Sequence, residues 1–167
     1  MSKPFVAIVM GSDSDLPVLE ASFDVLRTFE IPFEARITSA HRTPEVTKTY
    51  VEDAETRGCA VFIAAAGMAA HLAGAVAAAT VKPVIGVPMN ASLDGMDALL
   101  STVQMPAGIP VATVAIGKAG AKNAAYLAVQ MMSLADPQLS QKLRDERAAN
   151  ADVIYAKDAA LQEKLKG

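Results

Sequence analysis

CAVFIAAA, the stretch from Cys59 to Ala66, is the most apolar strand-like run of this 167-residue chain. Gly67 follows it and lets the backbone turn, and a helical pattern then runs from Ala69 to Ala79. A continuous apolar run is typical of a strand that is buried on both faces of a parallel sheet. This stretch therefore predicts an α/β fold.

Four further strands are predicted around this run, at Phe5–Met10, Phe33–Thr38, Pro83–Val87 and Val111–Ile116. Further helices are predicted from Leu16 through Leu26, from Pro44 to Gly58, at Met96–Thr102, at Ala121–Ser133, and from Pro137, capped by Asp136, to Leu165. Strands that alternate with helices across short connections predict a three-layer αβα sandwich with a five-stranded parallel sheet. Right-handed crossovers make a flavodoxin-like strand order the expected topology.

Length and composition indicate a single α/β domain spanning residues 1–167. The chain is 52% hydrophobic, which is enough for one proper core. The last helix, at about residues 136–165, is long and polar, with sparse apolar positions. We expect it to pack on a neighbouring subunit, the alternative being a partly frayed tail.

Charge and composition exclude several classes of protein. The net charge is −3 and no basic stripe is present, so we expect no nucleic-acid partner. No apolar stretch is suited to span a membrane, and the start, MSKPF, lacks the features of a signal peptide. The single cysteine, Cys59, cannot form an internal disulfide, which fits a cytoplasmic protein.

The only two histidines, His41 and His71, occupy equivalent positions in the pattern. Each lies between the end of a predicted strand and a helix, which is where ligands bind in parallel α/β sheets. Imidazole is the side chain best suited to move a proton near pH 7. Without a nearby cysteine or an H-x-x-x-H spacing, the two do not form a zinc pattern, so no metal site is predicted. Two ordinary surface or core histidines remain the alternative at this point.

Two loops carry groups that suit a phosphate. GSDSD, at Gly11–Asp15, offers hydroxyls and backbone N–H groups at a helix start. Its two carboxylates oppose a phosphate, so we assign one to capping or solvent and the other to sugar hydroxyls. The glycine spacing matches neither a dinucleotide-binding motif nor a P-loop, and a plain capping loop is the alternative. SAHRTP, at Ser39–Pro44, contains Arg42, which can form two hydrogen bonds to a phosphate or remain solvated.

Six motifs resemble, in the same order, those of one enzyme family. They are Gly11–Asp15, Ser39–Pro44, Gly67–Gly74, Pro83–Pro88, Val103–Pro106 with Gly108–Val111, and Gly117–Gly120, and the resemblance covers about residues 5 to 150. On these motifs the chain resembles the class I N5-carboxyaminoimidazole ribonucleotide mutases of purine biosynthesis, the PurE family.

The resemblance implies a rearrangement without metal or cofactor. A small-molecule ribonucleotide that carries a carboxylate on its exocyclic nitrogen, N5, is converted to the isomer with that carboxylate on ring carbon C4. The resemblance also implies a homo-octamer with active sites at subunit contacts, which suits the Ala-rich third helix and the long last one.

The resemblance further implies a role for each motif residue. His41 is expected to be the general acid and base, and His71 with the turn at Gly67 to line the carboxylate pocket. The expected substrate-binding residues also include Gly11, Ser12, Asp15, Ser39 and Arg42. Of these, Ser12, Ser39 and Arg42 are expected to bind the phosphate, and Asp15 the ribose hydroxyls.

The chain departs from the family pattern at a few positions. Many members have Gly-Gly-Ala-Ala-His-Leu-Pro-Gly, whereas this chain has Met68 and Ala73 at the second and seventh positions. The segment Met89–Gly95 is also a residue shorter than in some members. These changes bear on the geometry of a lid rather than on the chemistry.

Two other functions are weighed against the mutase. Class II enzymes carboxylate the unsubstituted aminoimidazole ribonucleotide directly with CO2, and the intact Ala69–Leu72 sequence, AAHL, favours class I. A non-catalytic, phospho-accepting signalling module on the same fold would need an aspartate at the end of the third strand, where this chain has Ala64–Ala66.

Overall fold

The computed structural model describes residues 3–166. The strands are β1 (Phe5–Met10), β2 (Phe33–Ile37), β3 (Cys59–Ala66), β4 (Val84–Pro88) and β5 (Ala112–Thr113). The helices are α1 (Leu16–Thr28), α2 (Pro44–Thr56), α3 (Leu72–Ala78), α4 (Met96–Val103), α5 (Gly117–Ser133) and α6 (Pro137–Lys166). Short 3-10 turns at Asp13–Asp15 and Leu93–Gly95 precede α1 and α4. Residues up to Met131 form one compact unit, and those from Met132 onwards form a second.

The sheet of the first unit has the order β2-β1-β3-β4-β5, and all of its strand pairs are parallel. This confirms the predicted five-stranded, flavodoxin-like α/β fold. The chain moves from β1 outward to β2 and then back to β3, so the strand order reverses between β1 and β3. Loops that leave these two strands diverge to opposite faces, and the crevice between them is the usual ligand site of such folds.

The central strands are buried as their composition requires. All six residues of β1 are buried, and Ile8 of β1 pairs with Ile63 of β3 at 0% exposure for both side chains. One face of the sheet forms a core with Val51 of α2 and Val76 of α3. The β-branched and apolar residues of these strands therefore fix the sheet that positions the loops.

The last strand is shorter than predicted. The sequence predicts Val111–Ile116, whereas β5 comprises only Ala112 and Thr113. This strand pairs with β4 on one side only, and the ladder ends after the Val114 N–H donates to the Gly86 carbonyl at 3.1 Å. α5 then begins at Gly117, four residues before the predicted start, because Gly117 turns the chain with a φ of +71°.

The second unit contains α6, a helix of 30 residues. Its predicted cap is confirmed, since Oδ1 of Asp136 accepts hydrogen bonds from the N–H groups of Gln138 and Leu139 at 3.0 and 3.1 Å. Beyond Ala151 every described residue of the helix is exposed, including Ile154, Tyr155 and Leu161.

Gly120 of α5 lies where a side chain cannot fit. A Cβ at this position would overlap the carbonyl oxygen of Ala115, which is backbone and cannot rotate away. We expect Gly120→Ala to lower the free energy of unfolding by about 3 kcal/mol in chemical denaturation, at the upper end of typical overpacking costs. The adjacent exposed position supplies a control, because Ala119→Ser should change stability by less than about 0.5 kcal/mol. Equal stability of the two variants would contradict this packing.

Candidate active site

The two histidines meet at the carboxyl edge of the sheet. His41 lies in the loop between β2 and α2, and His71 immediately precedes α3. Nε2 of His41 lies 2.7 Å from Nδ1 of His71, and the two rings are nearly perpendicular, at 87°. Since β1 lies between β2 and β3, the two loops converge at the end of β1, beside the reversal of strand order. The sequence predicted both positions but not this hydrogen bond.

The loop that carries His41 is held by its own hydrogen bonds. Oγ1 of Thr43 accepts from the Ser39 N–H at 2.9 Å, and Oγ of Ser39 accepts from the Arg42 N–H at 3.1 Å. Thr43 is the N-cap of α2, but its hydroxyl stabilises the loop rather than the helix end. The fixed loop presents His41 and leaves the hydroxyl proton of Ser39 able to donate to a ligand.

Sequence reasoning missed a pair of threonines beneath this loop. The hydroxyls of Thr38 and Thr47 are both buried and lie 2.6 Å apart, and Thr38 also contacts the hydroxyl of Thr43 at 3.2 Å. Thr47 lies one helical turn after Thr43, and this i, i+4 spacing was the signal available in the sequence. The three hydroxyls tie the end of β2 to the start of α2.

Arg42 is free to bind an anion. Its side chain is exposed, and no ion pair involves it within residues 3–166. The predicted phosphate ligands Ser39 and Arg42 thus lie in one short loop, on either side of Ala40 and His41.

The loop after β1 offers fewer free donors than the sequence predicted. The N–H groups of Gly11, Ser14 and Asp15 donate to Ala65, to the Ser12 hydroxyl and to the Ser12 carbonyl, at 3.1, 3.2 and 3.2 Å. The Ser12 hydroxyl itself donates to Asp13 at 3.1 Å, so it must rotate before it can contact a phosphate.

The two carboxylates of this loop differ in their exposure to solvent. Asp13 is exposed and accepts from the Ser12 hydroxyl. Asp15 is partly buried, and this burial raises the pKa of its carboxyl, opposed by hydrogen bonds from the backbone of Ser12 and Gly11. Asp15 precedes α1 without capping it through its side chain, so its carboxylate can accept hydrogen bonds from a ligand.

The turn that carries His71 corrects one prediction. The helix was expected to begin at Ala69 with His71 in its first turn, but α3 begins at Leu72 and His71 is its N-cap. Met68 has a φ of +57°, and the His71 N–H donates to the Ala69 carbonyl at 2.8 Å, so these residues form a turn instead. A left-handed conformation costs a non-glycine residue about 1–2 kcal/mol.

Gly67 is required by close packing in the same turn. A Cβ at Gly67 would lie 2.9 Å from Cβ of Ala91 and 3.6 Å from Cβ of Met89, in the segment after β4. The two segments are also joined by the Met89 N–H, which donates to the Ala66 carbonyl at 2.9 Å. The turn and the segment after β4 therefore pack as neighbours at the same edge of the sheet.

The histidine pair is exposed in this single chain. His41, His71 and Met68 are all exposed, Met68 to 60%. Two clefts, of about 520 and 480 Å³, lie elsewhere, at the amino-terminal ends of β1 and β2 and of β4 and β5. Neither is lined by any predicted site residue.

Other reactive groups are remote or inert. Cys59 is buried at the start of β3, and burial raises the pKa of its thiol to about 11, so it is not a nucleophile at neutral pH. No group of three or more His, Cys, Asp or Glu side chains in the described part of the chain could hold a metal ion. No helix within residues 3–166 combines the length and apolar character needed to cross a bilayer.

A model of the AIR carboxylase family matches residues 5–153. The chain belongs to this family. A protein of Mycobacterium tuberculosis named N5-carboxyaminoimidazole ribonucleotide mutase is 55% identical over 161 residues, which are 96% of this chain and 91% of that protein. A protein of the same name from Methanocaldococcus jannaschii is 48% identical and covers 96% of this chain and 99% of its own length. The crystal structure of Treponema denticola PurE matches with a TM-score of 0.87 at 33% identity, over 95% of this chain and 99% of that one.

Proposed function

We propose that this AIR carboxylase family member is an isomerase of de novo purine biosynthesis. It converts N5-carboxyaminoimidazole ribonucleotide to 4-carboxy-5-aminoimidazole ribonucleotide by moving the carboxylate from N5 to C4. The observation that carries the proposal is the histidine pair, 2.7 Å apart, beside the reversal of strand order. Relatives that bear the mutase name and align with nearly the whole chain support the same activity.

The chemistry requires one group that gives and takes a proton. His41, protonated, donates a proton to N5 of the carbamate; the bond between N5 and the carboxylate carbon then breaks and releases CO2. The freed amine makes C4 nucleophilic, and C4 forms a bond to the CO2. Neutral His41 removes the C4 proton, which restores the ring and returns His41 to its starting state. Atoms and charge balance without any other reactant.

The remaining site residues bind and orient the ribonucleotide. Ser12, Ser39 and Arg42 hold the phosphate, Asp15 accepts from the ribose hydroxyls, and the backbones at Gly11 and Gly67 allow close approach. His71 lines the pocket of the migrating carboxylate. The free Arg42 side chain and the available Ser39 hydroxyl, three residues apart in sequence and on one loop, support the phosphate assignment.

A neighbouring subunit completes the site in this proposal. Escape of CO2 is the main loss in the reaction, and holding the fragments together is worth an effective molarity of roughly 10⁵ M or more. An exposed histidine pair does not retain CO2 by itself, so the proposal includes a homo-oligomer, an octamer as implied by the family resemblance, whose contacts cover the pair. Residues 1–167 then act as one α/β domain whose C-terminal helix packs on a neighbour. The exposed apolar residues of α6 support this.

In this proposal the protein is cytoplasmic and its partner is a small-molecule ribonucleotide. It binds neither nucleic acid nor a membrane, and it uses no cofactor. The single cysteine, Cys59, supports the cytoplasmic location, and the net charge of −3 supports the absence of a nucleic-acid partner.

Arg42→Ala should weaken substrate binding. Loss of a charge-assisted hydrogen bond to phosphate costs about 1.5–3 kcal/mol, so KM should rise roughly 10- to 150-fold while kcat changes little. Steady-state kinetics measure both constants, and Arg36→Ala, at another exposed arginine, serves as the control. An unchanged KM in Arg42→Ala would show that the phosphate binds elsewhere.

The proposed function is tested by supplying both candidate substrates. We expect rapid conversion of N5-carboxyaminoimidazole ribonucleotide whether or not bicarbonate is added. Turnover of the unsubstituted aminoimidazole ribonucleotide only, with bicarbonate required, would overturn the mutase and indicate the class II carboxylase.

A further inference from the structure

The hydrogen bond between the histidines restricts where their protons can lie. Nε2 of His41 and Nδ1 of His71 face each other at 2.7 Å, so one proton must lie between them. If both nitrogens carried a proton, the two N–H groups would repel each other. Each ring therefore has one nitrogen committed to the pair and one free nitrogen, Nδ1 on His41 and Nε2 on His71.

Two arrangements of the protons satisfy this bond. In the first, Nε2–H of His41 donates to Nδ1 of His71; Nδ1 of neutral His41 is then a bare base, and Nε2–H of His71 is a free donor. In the second, Nδ1–H of His71 donates to Nε2 of His41; Nδ1 of His41 then carries its only proton, and Nε2 of His71 is a bare acceptor.

The proton transfers select the first arrangement. His41 must take a proton from C4 while neutral, and with Nε2 committed to His71 it can do so only at a bare Nδ1. In the second arrangement Nδ1 is already protonated, and giving up that proton would leave an imidazolate. In the first arrangement, Nε2–H of His71 also offers a hydrogen-bond donor, rather than a lone pair, to the carboxylate in the pocket that His71 lines.

We infer that His71 is a positioning residue that holds His41 in its Nε2–H form, so that Nδ1 of His41 is the atom that exchanges the proton with the substrate. The inference rests on the proposed function, which makes His41 the general acid and base. An imidazole oriented through its second nitrogen is a recurrent device, in which the partner fixes both tautomer and ring direction. Here the partner is a second histidine in place of a carboxylate.

The surroundings leave this role to His71 alone. The charged side chains in the loops at this edge of the sheet and in the first turns of the helices that follow them are Asp13, Asp15, Arg42, Glu45, Asp94, Asp97 and Lys118. No ion pair joins any of them to either imidazole among the residues that the structure describes. The stretch from Gly67 to Ala78 contains no Asp, Glu, Lys or Arg.

Because the chain contains only two histidines, the inference can be read directly from imidazole nitrogens. Full-length protein labelled with ¹⁵N-histidine gives signals from two rings, and His41→Asn identifies those of His71. In the unliganded protein we expect neutral His41 to carry its proton on Nε2 and to have a bare Nδ1. In His71→Leu this preference should be lost, and both tautomers of His41 should be populated. A His41 ring with its proton on Nδ1 in the parent, or unchanged signals in His71→Leu, would overturn the inference.

Kinetics separate positioning from simple contact with the substrate. We expect His71→Leu to lower kcat roughly 10- to 100-fold, the usual effect of losing an orienting partner, with KM within about threefold of the parent. His71→Asn keeps an acceptor near the position of Nδ1 and should restore kcat to within about tenfold of the parent. Equal kcat losses in the two variants, or a change in KM alone, would contradict a positioning role.

The two hypotheses fail separately in this design. The nitrogen signals are recorded without substrate, so they test the pair whatever reaction the protein catalyses. If His41→Asn stays active while the signals match expectation, the proposed role of His41 fails and the pair stands. If His41→Asn is inactive while His71→Leu leaves the His41 signals unchanged, the role of His41 stands and the inference about His71 fails.

Discussion

Replacing His41 by asparagine should abolish turnover, with kcat at least about 100-fold lower, while ligand affinity stays near that of the parent. Proton transfer by a positioned side chain contributes about 10²–10⁴-fold to a rate, and asparagine cannot take up a proton. Binding should be unaffected because, in the proposed function, it rests on the phosphate contacts of Ser39 and Arg42, which act equally in the ground and transition states. Single-turnover kinetics and calorimetric titration with the product measure the two effects.

The neighbouring Glu45 provides the control for this experiment. Glu45 is exposed in the first turn of α2 and has no assigned role, so Glu45→Gln should keep full activity. Activity of His41→Asn within tenfold of the parent would show that the proton carrier is another group.

Removing residues 139–167 should lower both the oligomer size and the activity, although no proposed catalytic residue is lost. The described part of this segment exposes apolar side chains that an isolated helix has no reason to carry, with Ile154 61%, Tyr155 69% and Leu165 71% exposed. If neighbouring subunits cover these side chains, removing the segment disrupts the subunit contacts, and the active site then loses the neighbour that covers it. Light scattering paired with the mutase assay measures both consequences.

A full-length variant guards against simple misfolding of the truncated chain. Ile154 and Leu161 are seven residues apart and lie on one face of α6, so changing both to aspartate should split the oligomer. Asp152 is exposed on another face, and Asp152→Asn is the matched control. A fully active monomer from either the truncation or the double variant would refute the role of the helix in assembly.

Most of the fold followed from periodicity and composition. The bounds of β1 and β3 were predicted to the residue, because a strand buried on both faces has an uninterrupted apolar pattern. The start of α3 was wrong, since alanine-rich sequence favours helix and gives no sign that Met68 adopts a left-handed turn. β5 was predicted too long because its apolar residues continue past the point where it stops pairing with β4.

The site was predicted less completely than the fold. Sequence placed His41 and His71 at the same edge, but a distance of 2.7 Å depends on the order of strands and on two loop conformations. The hydrogen bonds that occupy the Ser12 loop were missed because a sequence rich in serine and aspartate is equally suited to bind a ligand or to form hydrogen bonds within itself. Local pattern identifies candidate residues, and only their three-dimensional arrangement decides which of them are free to act.

The central claim is that the carboxylate moves from N5 to C4 within one enzyme-bound complex. The most direct measurement starts from N5-carboxyaminoimidazole ribonucleotide labelled with ¹³C in the carboxylate, in buffer containing excess unlabelled bicarbonate. The account predicts that the product, examined by mass spectrometry after a single turnover, retains most of the ¹³C, because the released CO2 is recaptured before it escapes. A product that carries unlabelled carbon from the solution would contradict the account.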